Sequence, residues 1–216
     1  MPLQNRVTPF GEIVGVPERG SFMGNRSRIH SERHTLKSRH WDRKAWITCL
    51  LQFKGRHRQM MAPSTYTELF FLDEATALAA GHRPCGECRR SDAKRFKDLW
   101  LEVNGASLQG KSETMANMDA VLHSERIDRD GKQIRWEARI SELPDSAMVL
   151  VDDARAAFLL RQGYLYLWSP AGYVERRTAP SGRTVMVLTP PSVTRVLAAG
   201  YHPIVHPSVD VLVPSR

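Results

Sequence analysis

The spacing of apolar residues changes near the middle of the chain, and this change limits the folds that the chain can form. The region before residue 104 has the three- and four-residue spacing of a helix, seen at Ala93, Phe96, Trp100 and Val103. Segment 132–140, KQIRWEARI, instead alternates apolar and polar side chains, as a half-exposed strand does. The sequence therefore predicts an α+β protein, with a small N-terminal module of helices and strands and a C-terminal domain with an antiparallel sheet.

Composition divides the chain into three sections. Residues 105–118 are mostly small and polar, and we interpret them as a linker or a long loop. This interpretation gives an N-terminal module at 1–104 and an α+β domain at 119–216. The strand candidates of the second domain are AMVLVDD, GYLYLWS, GYVERR and RTVMVLT, and its helix candidates are DDARAAFLLRQG and PSVTRVLAAG.

Turn and cap residues predict the order of elements within the N-terminal module. Segment 45–53, AWITCLLQF, has the length and the β-branched and aromatic content of a buried strand. Asp73 is placed to cap the next helix and Gly81 to end it. Pro84 favours an extended residue before it, and Ser91 is placed to cap a second helix. The predicted order is strand, helix, turn, helix.

The turn between the two predicted helices holds Cys85 and Cys88, two of the three cysteines in the chain. Two cysteines at this spacing can direct both sulfurs at one ion, about 2.3 Å from a zinc. A tetrahedral site needs two more ligands, and the candidates are Cys49 and the nearest imidazoles in sequence, His82 or His57. We therefore predict a Zn²⁺ site formed by Cys85 and Cys88 with Cys49 and His82.

Three other interpretations stay open for these residues. His30 and His34 are four residues apart and would form a competing ligand pair if their segment were helical. Cys85 and Cys88 could instead pack as small hydrophobic residues beside a helix. A redox pair is the third interpretation, although the surrounding pattern is not that of a thioredoxin-like unit.

The amino-acid sequence around the cysteine turn is similar to that of a known family. Segment 70–90, FFLDEATALAAGHRPCGECRR, resembles the second half of the zinc domain of Ada-type DNA alkylation-repair proteins. The resemblance implies that Cys85 and Cys88 are two of the metal ligands and that the module contacts DNA. The first cysteine pair of that family, which includes its methyl acceptor, has no counterpart here because Cys49 stands alone. Methyl-acceptor chemistry is therefore not carried over.

The excess positive charge is concentrated in one stretch of the chain. Segment 26–58 contains ten basic and two acidic residues, and this difference equals the net charge of +8 of the whole chain. Such a concentration is typical of surfaces that bind polyanions, and the interleaved Trp41, Trp46 and Phe53 offer flat faces for bases. DNA is the predicted partner. The predicted phosphate contacts are Arg26, Arg28, Arg33, Arg39, Arg43, Lys44, Arg56 and Arg58.

Together these observations predict a zinc-binding, DNA-associated protein with a role in DNA repair or processing, in which the metal is mainly structural. One alternative is a metal-dependent nuclease or other nucleic-acid-modifying enzyme that uses His30, His34 or His40. Another is a non-catalytic interaction protein whose basic segment docks on an acidic partner. The sequence shows neither a glycine-rich phosphate loop nor a Gly-x-Ser-x-Gly elbow, which disfavours nucleotide and serine hydrolysis.

The sequence also predicts a cytoplasmic location. Its apolar runs are shorter than the roughly 18–20 residues that a membrane helix needs. Its first ten residues lack the basic region and apolar stretch of a secretory signal. In the cytoplasm thiols stay reduced, which favours metal binding over a disulfide for a close cysteine pair.

Overall fold

The structure is a computed structural model, and it describes residues 2–56, 59–151 and 156–212. These residues contain both helices and two sheets, so the predicted α+β class is confirmed. Among the described helices, none combines the length and the apolar character that crossing a membrane requires.

The first sheet is formed by the N-terminal part of the chain. Its strands are β1 (Arg6–Val7), β2 (Ile13–Val14), β3 (Phe22–Asn25), β4 (Ile47–Cys49), β5 (Leu69–Phe71) and β6 (Arg83–Pro84). The strand order is β2-β1-β5-β3-β4-β6, with parallel pairing at β1–β5 and β4–β6 and antiparallel pairing elsewhere. Strand β4 is shorter than the predicted strand 45–53, because Leu50 and Leu51 leave the sheet and are exposed.

The second sheet is antiparallel throughout, as the sequence predicts for the C-terminal part. Its strands are β7 (Trp136–Arg139), β8 (Met148–Leu150), β9 (Ala157–Arg161), β10 (Tyr164–Ser169), β11 (Gly172–Thr178) and β12 (Thr184–Val187). Their order is β11-β10-β9-β8-β12-β7.

One helix prediction in this part is wrong. The segment DDARAAFLLRQG was predicted to be helical, but β9 runs through its second half and pairs with β8 and β10. Residues 152–155 of that segment lie outside the described residues. The first four residues of β9 are all buried, and a short apolar run that is buried on both faces shows no periodicity that separates strand from helix.

Four α-helices complete the described architecture: α1 (Glu74–Ala79), α2 (Arg90–Asn104), α3 (Met115–Arg126) and α4 (Pro191–Ala198). The cap prediction for α1 is confirmed, since the Asp73 carboxylate accepts a hydrogen bond from the Thr76 backbone N–H at 2.8 Å. Gly81 follows the helix with φ +81°, a conformation that glycine adopts without strain. Helix α2 begins one residue before its predicted cap, Ser91.

Residues 105–118, predicted as a linker or loop, contain ordered elements. A 3₁₀ helix spans Gly105–Leu108, and α3 begins at Met115 with the Thr114 hydroxyl accepting from the Asn117 backbone N–H. Leu108 and Met118 are buried in the hydrophobic cluster that joins α2, α3 and α4. The division of the chain into a module at 1–104, a linker or loop at 105–118 and a domain at 119–216 stays a prediction.

The hydrophobic cores combine residues from both parts of the chain. Leu72, Ala75 and Ala79, around α1, pack with residues of the second sheet such as Met148 and Leu159. A second cluster joins apolar side chains of α2 and α3 with those of α4. Helix α1 therefore lies between the first sheet, to which it is linked in sequence, and the second sheet, against which it packs.

Buried polar contacts hold the start of α1 against the C-terminal part. The Asp73 carboxylate, fully buried, accepts hydrogen bonds from the Tyr173 hydroxyl at 2.8 Å and from the His206 backbone N–H at 3.0 Å. The Glu74 carboxylate accepts from Arg89 at 2.7 Å and from the Tyr201 hydroxyl at 2.7 Å. Because each oxygen is buried and partnered, these contacts fix the position of the segment that leads into the cysteine turn.

Candidate metal centre and basic surface

The parallel pairing of β4 with β6 brings two cysteines to the same end of the first sheet. In this register Ile47 lies opposite Arg83 and Thr48 opposite Pro84. The next residue on each strand is a cysteine, Cys49 on β4 and Cys85 after β6. The Cys85 backbone N–H donates to the Thr48 carbonyl at 2.9 Å, which extends the pairing to the cysteine turn.

The third cysteine comes from the turn itself. After β6 the chain turns through Gly86 and Glu87 to Cys88, just before α2 begins. The Glu87 backbone N–H donates to the Cys85 sulfur at 3.4 Å, so the turn is wrapped around that sulfur. Three separate pieces of local structure, the end of β4, the end of β6 and the start of α2, therefore converge on one point.

The Sγ atoms of Cys49, Cys85 and Cys88, the cysteine cluster, all lie within 4.8 Å of one another. Sulfurs at 2.3 Å from a tetrahedral zinc are separated by about 3.8 Å, so small adjustments would bring all three onto one ion. In the part of the chain that the structure describes, no histidine, cysteine or carboxylate joins them as a fourth ligand. The cluster can hold a metal ion, with one coordination position left for another group.

Hydrogen bonds within the cluster separate the proton affinities of its thiols. A hydrogen bond from Cys49 and backbone N–H groups of the turn lower the pKa of Cys85 to about 5. The pKa of Cys49 is raised because it donates to Cys85 and is buried. Burial and the nearby charge of Cys85 also raise the pKa of Cys88. Metal binding requires thiolates, so a bound cation would release the remaining protons.

The arginines beside the turn pair with carboxylates instead of facing the sulfurs. Arg83 forms two 2.7 Å hydrogen bonds to Asp119 on α3, and both side chains are buried. Arg89 contacts Glu74 at 2.7 Å and Asp92 at 2.8 Å. These ion pairs fix the two ends of the cysteine turn, and the hydrogen bonds described above account for the lowered pKa of Cys85.

His82, predicted as a fourth ligand, is placed outside the cysteine cluster. Its ring is 1% exposed, packs at 4.6 Å from the Phe71 ring centroid and accepts a hydrogen bond from Arg26 at 3.3 Å. His82 precedes β6 and Cys85 follows it, so the two residues lie at opposite ends of that strand. His57, the other imidazole considered, lies outside the described residues.

The histidines of the nuclease alternative are also separate from the cysteine cluster. His30 is completely buried, and its ring nitrogens hydrogen-bond with the Thr67 hydroxyl at 2.7 Å and the Ala62 carbonyl at 3.3 Å. His34 lies in a turn with φ +59°, so His30 and His34 do not share a helix face. His40 is half-buried and lines a different cleft.

A cleft of about 290 Å³ lies beside the cysteine cluster and includes a carboxylate that sequence reasoning missed. Cys49, Cys85 and Cys88 line this cleft together with Glu68. The Glu68 side chain is 3% exposed, and its Oε2 accepts from the Met61 backbone N–H at 2.7 Å. Its Oε1 has no hydrogen-bond partner among the described residues. In the sequence this glutamate sits in the segment TYTELFF, which carries no metal-site spacing.

The predicted phosphate contacts divide into exposed and buried residues. Arg33, Arg39, Arg43, Lys44 and Arg56 are exposed. Arg28 is half-buried, and Arg26 is only 2% exposed, so it is not part of the outer surface. Arg58 lies outside the described residues. Arg56 pairs with Glu87 at 2.6 Å, beside the cysteine cluster.

Four of the exposed predicted contacts lie on one segment, residues 31–45, which we call the basic loop, and Lys37 on the same segment is also exposed. In the described part of the chain, its residues Arg33, Arg39, Arg43 and Lys44 form no ion pair with a carboxylate. The guanidinium of Arg39 lies 4.8 Å from the ring centroid of Trp41. The basic loop also carries Glu32 and Asp42, but its five basic residues outnumber them and give it a net charge of +3. The basic loop therefore presents a positive surface to solvent.

Comparisons with known proteins add no family or relative to this picture. No protein-family model, curated protein or solved structure matches the chain.

Proposed function

We propose that this protein binds one Zn²⁺ through the cysteine cluster and associates with DNA through the basic loop. The observation that carries the proposal is the convergence of three Sγ atoms within 4.8 Å. Three thiolates from one site suit zinc, which is commonly bound by cysteine. The similarity of segment 70–90 to the Ada-type zinc domain, whose turn supplies metal ligands beside DNA, supports both parts of the proposal.

The proposed role of the zinc is structural. The ion would tie the end of β4 to the cysteine turn and to the start of α2, elements that are otherwise joined near this point by short backbone pairing. Binding free energy of this kind becomes folding free energy, because the unfolded chain does not present the three sulfurs together.

Metal analysis of the purified protein tests the zinc site. We expect about one zinc per chain, and Cys85→Ser, Cys88→Ser and Cys49→Ser should each lower that content to well below half. The melting temperature should fall with it, on the order of 10 °C for a chain of this size. His34→Ala is the matched control and should retain its zinc, because His34 lies outside the cysteine cluster. Unchanged zinc content in all three cysteine variants would contradict the proposal.

Salt-dependent DNA binding tests the basic loop. Phosphate contacts release counterions, so the logarithm of the affinity should fall linearly with the logarithm of salt concentration. Replacing Arg39, Arg43 and Lys44 together by glutamine should make that slope shallower by about 2 to 3 units. The control replaces Lys97, Lys111 and Arg139 by glutamine, which removes the same charge elsewhere. An equal reduction of the salt slope in the two triple variants would show that the basic loop is not the DNA-binding surface.

A second candidate function, metal-dependent nucleic-acid processing, is favoured by the cleft beside the cysteine cluster. A catalytic zinc keeps one open position and lowers the pKa of a water bound there. Glu68 lines the same cleft with an unpartnered Oε1 and could hold a proton at that atom. Incubating DNA with the parent protein and with zinc-loaded Glu68→Gln distinguishes the two functions. Degradation by the parent, with no degradation by the variant, would establish the enzyme. DNA that is bound and left intact by the parent supports the structural role.

A further inference from the structure

Two buried arginines stack on Trp46, which lies at the opposite end of β4 from the cysteine cluster. Arg26 and Arg126 are each 2% exposed. The guanidinium carbon of each lies 3.9 Å from the ring centroid of Trp46, which is itself buried. Arg26 and Arg126 are 100 positions apart in sequence, so no local motif predicts that they lie together.

Neither arginine has a carboxylate partner in the part of the chain that the structure describes. Arg26 donates to the His82 Nε2 at 3.3 Å and to the Gly11 carbonyl at 3.1 Å. Arg126 donates to the Gly81 carbonyl at 2.9 Å and to the Lys44 carbonyl at 2.6 Å, while its Nε has no partner. Burying a charged group without a counter-charge costs several kcal/mol, so two such groups together call for an explanation.

The surrounding histidines do not add to the charge, and they do not neutralise it. Burial lowers the pKa of Arg26 to about 9, which leaves it protonated at neutral pH. Burial, followed by the charges of Arg26 and Arg126, lowers the pKa of His82, and burial with Arg126 and other cations lowers the pKa of His123 to about 4. Burial and the charge of Arg26 lower the pKa of Arg126 as well, and the charge of Asp119 opposes this shift. Because a guanidinium stays protonated in proteins, both arginines remain positively charged beside these histidines without a carboxylate in hydrogen-bond contact.

Both arginines and Trp46 line a cleft of about 590 Å³, which we call the arginine cleft. This volume is within the range of about 300–1,000 Å³ that is usual for small-molecule sites. Lys132 and Arg135 are exposed residues at its edge, and Glu12 is the one carboxylate among the described residues that line it. The lining is thus strongly cationic, with an aromatic wall.

The backbone around the arginine cleft is shaped to hold these side chains. Gly81 has φ +81°, and a Cβ there would lie 2.5 Å from the Arg126 Cδ. Gly131 has φ +80°, and a Cβ there would lie 2.6 Å from the Trp41 ring, which also lines the cleft. At both positions glycine permits an approach that any other residue would block.

We propose that the arginine cleft binds a phosphate-bearing anion, either the phosphate of a small metabolite or a phosphodiester of a nucleic acid. The fork of N–H donors on a guanidinium matches phosphate oxygens, and arginine is suited to buried anion recognition. The site goes beyond the proposed zinc function and does not depend on it. Trp46 and His82 precede β4 and β6, whereas Cys49 and Cys85 lie at the other ends of these strands.

Thermal unfolding and calorimetry of the full-length, zinc-loaded protein test this proposal. Inorganic phosphate should raise the melting temperature above that measured in chloride at equal ionic strength. A short oligonucleotide without terminal phosphate forms the second arm, since it offers only phosphodiesters. Stabilisation by inorganic phosphate alone would identify a small phosphorylated ligand. Tighter binding of the oligonucleotide that Arg26→Lys weakens would identify a nucleic-acid phosphate in the cleft, whereas oligonucleotide binding that Arg26→Lys leaves unchanged would belong to the basic loop and count against the cleft.

Two variants and a matched control keep the test independent of folding defects. Arg26→Lys keeps the positive charge but removes the forked N–H donors of the guanidinium, and it should weaken phosphate binding by tenfold or more. Arg135→Gln, at the exposed edge, should weaken it several-fold, whereas Arg129→Gln removes a charge from a nearby residue that does not line the cleft and should have no effect. If Arg26→Lys fails to fold, the comparison of Arg135→Gln with Arg129→Gln decides.

Two results would overturn the proposal. One is the absence of stabilisation beyond chloride by either probe in the parent protein. The other is an equal loss of affinity for the phosphate probe in Arg135→Gln and Arg129→Gln, which would indicate non-specific attraction to a basic chain. Cys85→Ser separates this site from the zinc site, because loss of zinc with retained phosphate binding would leave the arginine cleft established by itself.

Discussion

His123 is a residue whose surroundings predict a pH-dependent stability. Burial, and then the charges of Arg126, Lys44 and Arg39, lower its pKa from the usual 6.5 to about 4. In the unfolded chain His123 takes up a proton near pH 6.5, while in the folded protein it stays neutral down to about pH 4. At this residue the unfolded state therefore binds more protons in this interval, and the contribution of His123 to the free energy of unfolding decreases as the pH falls from 7 towards 4.

Urea unfolding at pH 7 and at pH 4.5 in phosphate-free buffer measures this effect. His123→Gln removes the titrating group and retains an acceptor for Arg126, so it should lose less stability between the two pH values than the parent does. His202→Gln is the control, because His202 is exposed and distant in sequence from this cluster. An identical loss of stability in His123→Gln and in the parent would show that His123 is not responsible.

At the scale of residues, local chemistry is predictable and distant pairing is not. The spacing of Cys85 and Cys88 indicates a metal site, and Asp73 acts as the helix cap that its position suggests. Cys49 was predicted as a ligand because it is the remaining cysteine, and the structure places it with Cys85 and Cys88. The parallel pairing of β4 with β6 that brings it there is not visible in the sequence. The placement of Arg26 against Arg126 depends in the same way on contacts between parts of the chain far apart in sequence.

Helices and strands whose apolar residues recur at a regular spacing were predictable from the sequence, and those without such a spacing were not. Helix α2 buries the apolar positions Ala93, Phe96 and Trp100 that its spacing predicts. Strand β9 was mistaken for a helix because its apolar residues are consecutive, and its identity is set by hydrogen bonds to β8 and β10. Helix α3 begins in a small, polar segment, so its cap Thr114 gave no signal above that composition.

At the scale of the whole molecule, the two sheets are joined through shared cores. Residues around α1 belong to the same cluster as the second sheet, and α2 packs in one cluster with α4. Asp73 and Tyr173, 100 residues apart, share a buried hydrogen bond. Sequence composition suggested a boundary at 105–118 because most residues of this segment are polar and exposed. Its two buried apolar residues, Leu108 and Met118, nevertheless pack in the cluster that crosses the boundary.

This arrangement predicts that the chain unfolds as one unit and that residues 119–216 do not fold alone. The isolated fragment would expose the apolar side chains that face α1 and α2, and it would leave the Tyr173 and Tyr201 hydroxyls without Asp73 and Glu74. We expect it to lack near-ultraviolet circular dichroism and a cooperative thermal transition. The parent should show one transition with equal calorimetric and van't Hoff enthalpies.

A protease site inserted into the exposed stretch 109–113 provides the matched control. Cleavage there breaks the chain between α2 and α3 without removing any residue of the shared clusters. The two pieces should therefore stay associated through gel filtration and separate only in denaturant. Independent domains would instead separate on cleavage, and the C-terminal piece would then melt cooperatively alone. That result would assign the proposed zinc and DNA functions to an autonomous N-terminal module, whereas continued association makes the C-terminal sheet part of the framework that positions the cysteine cluster.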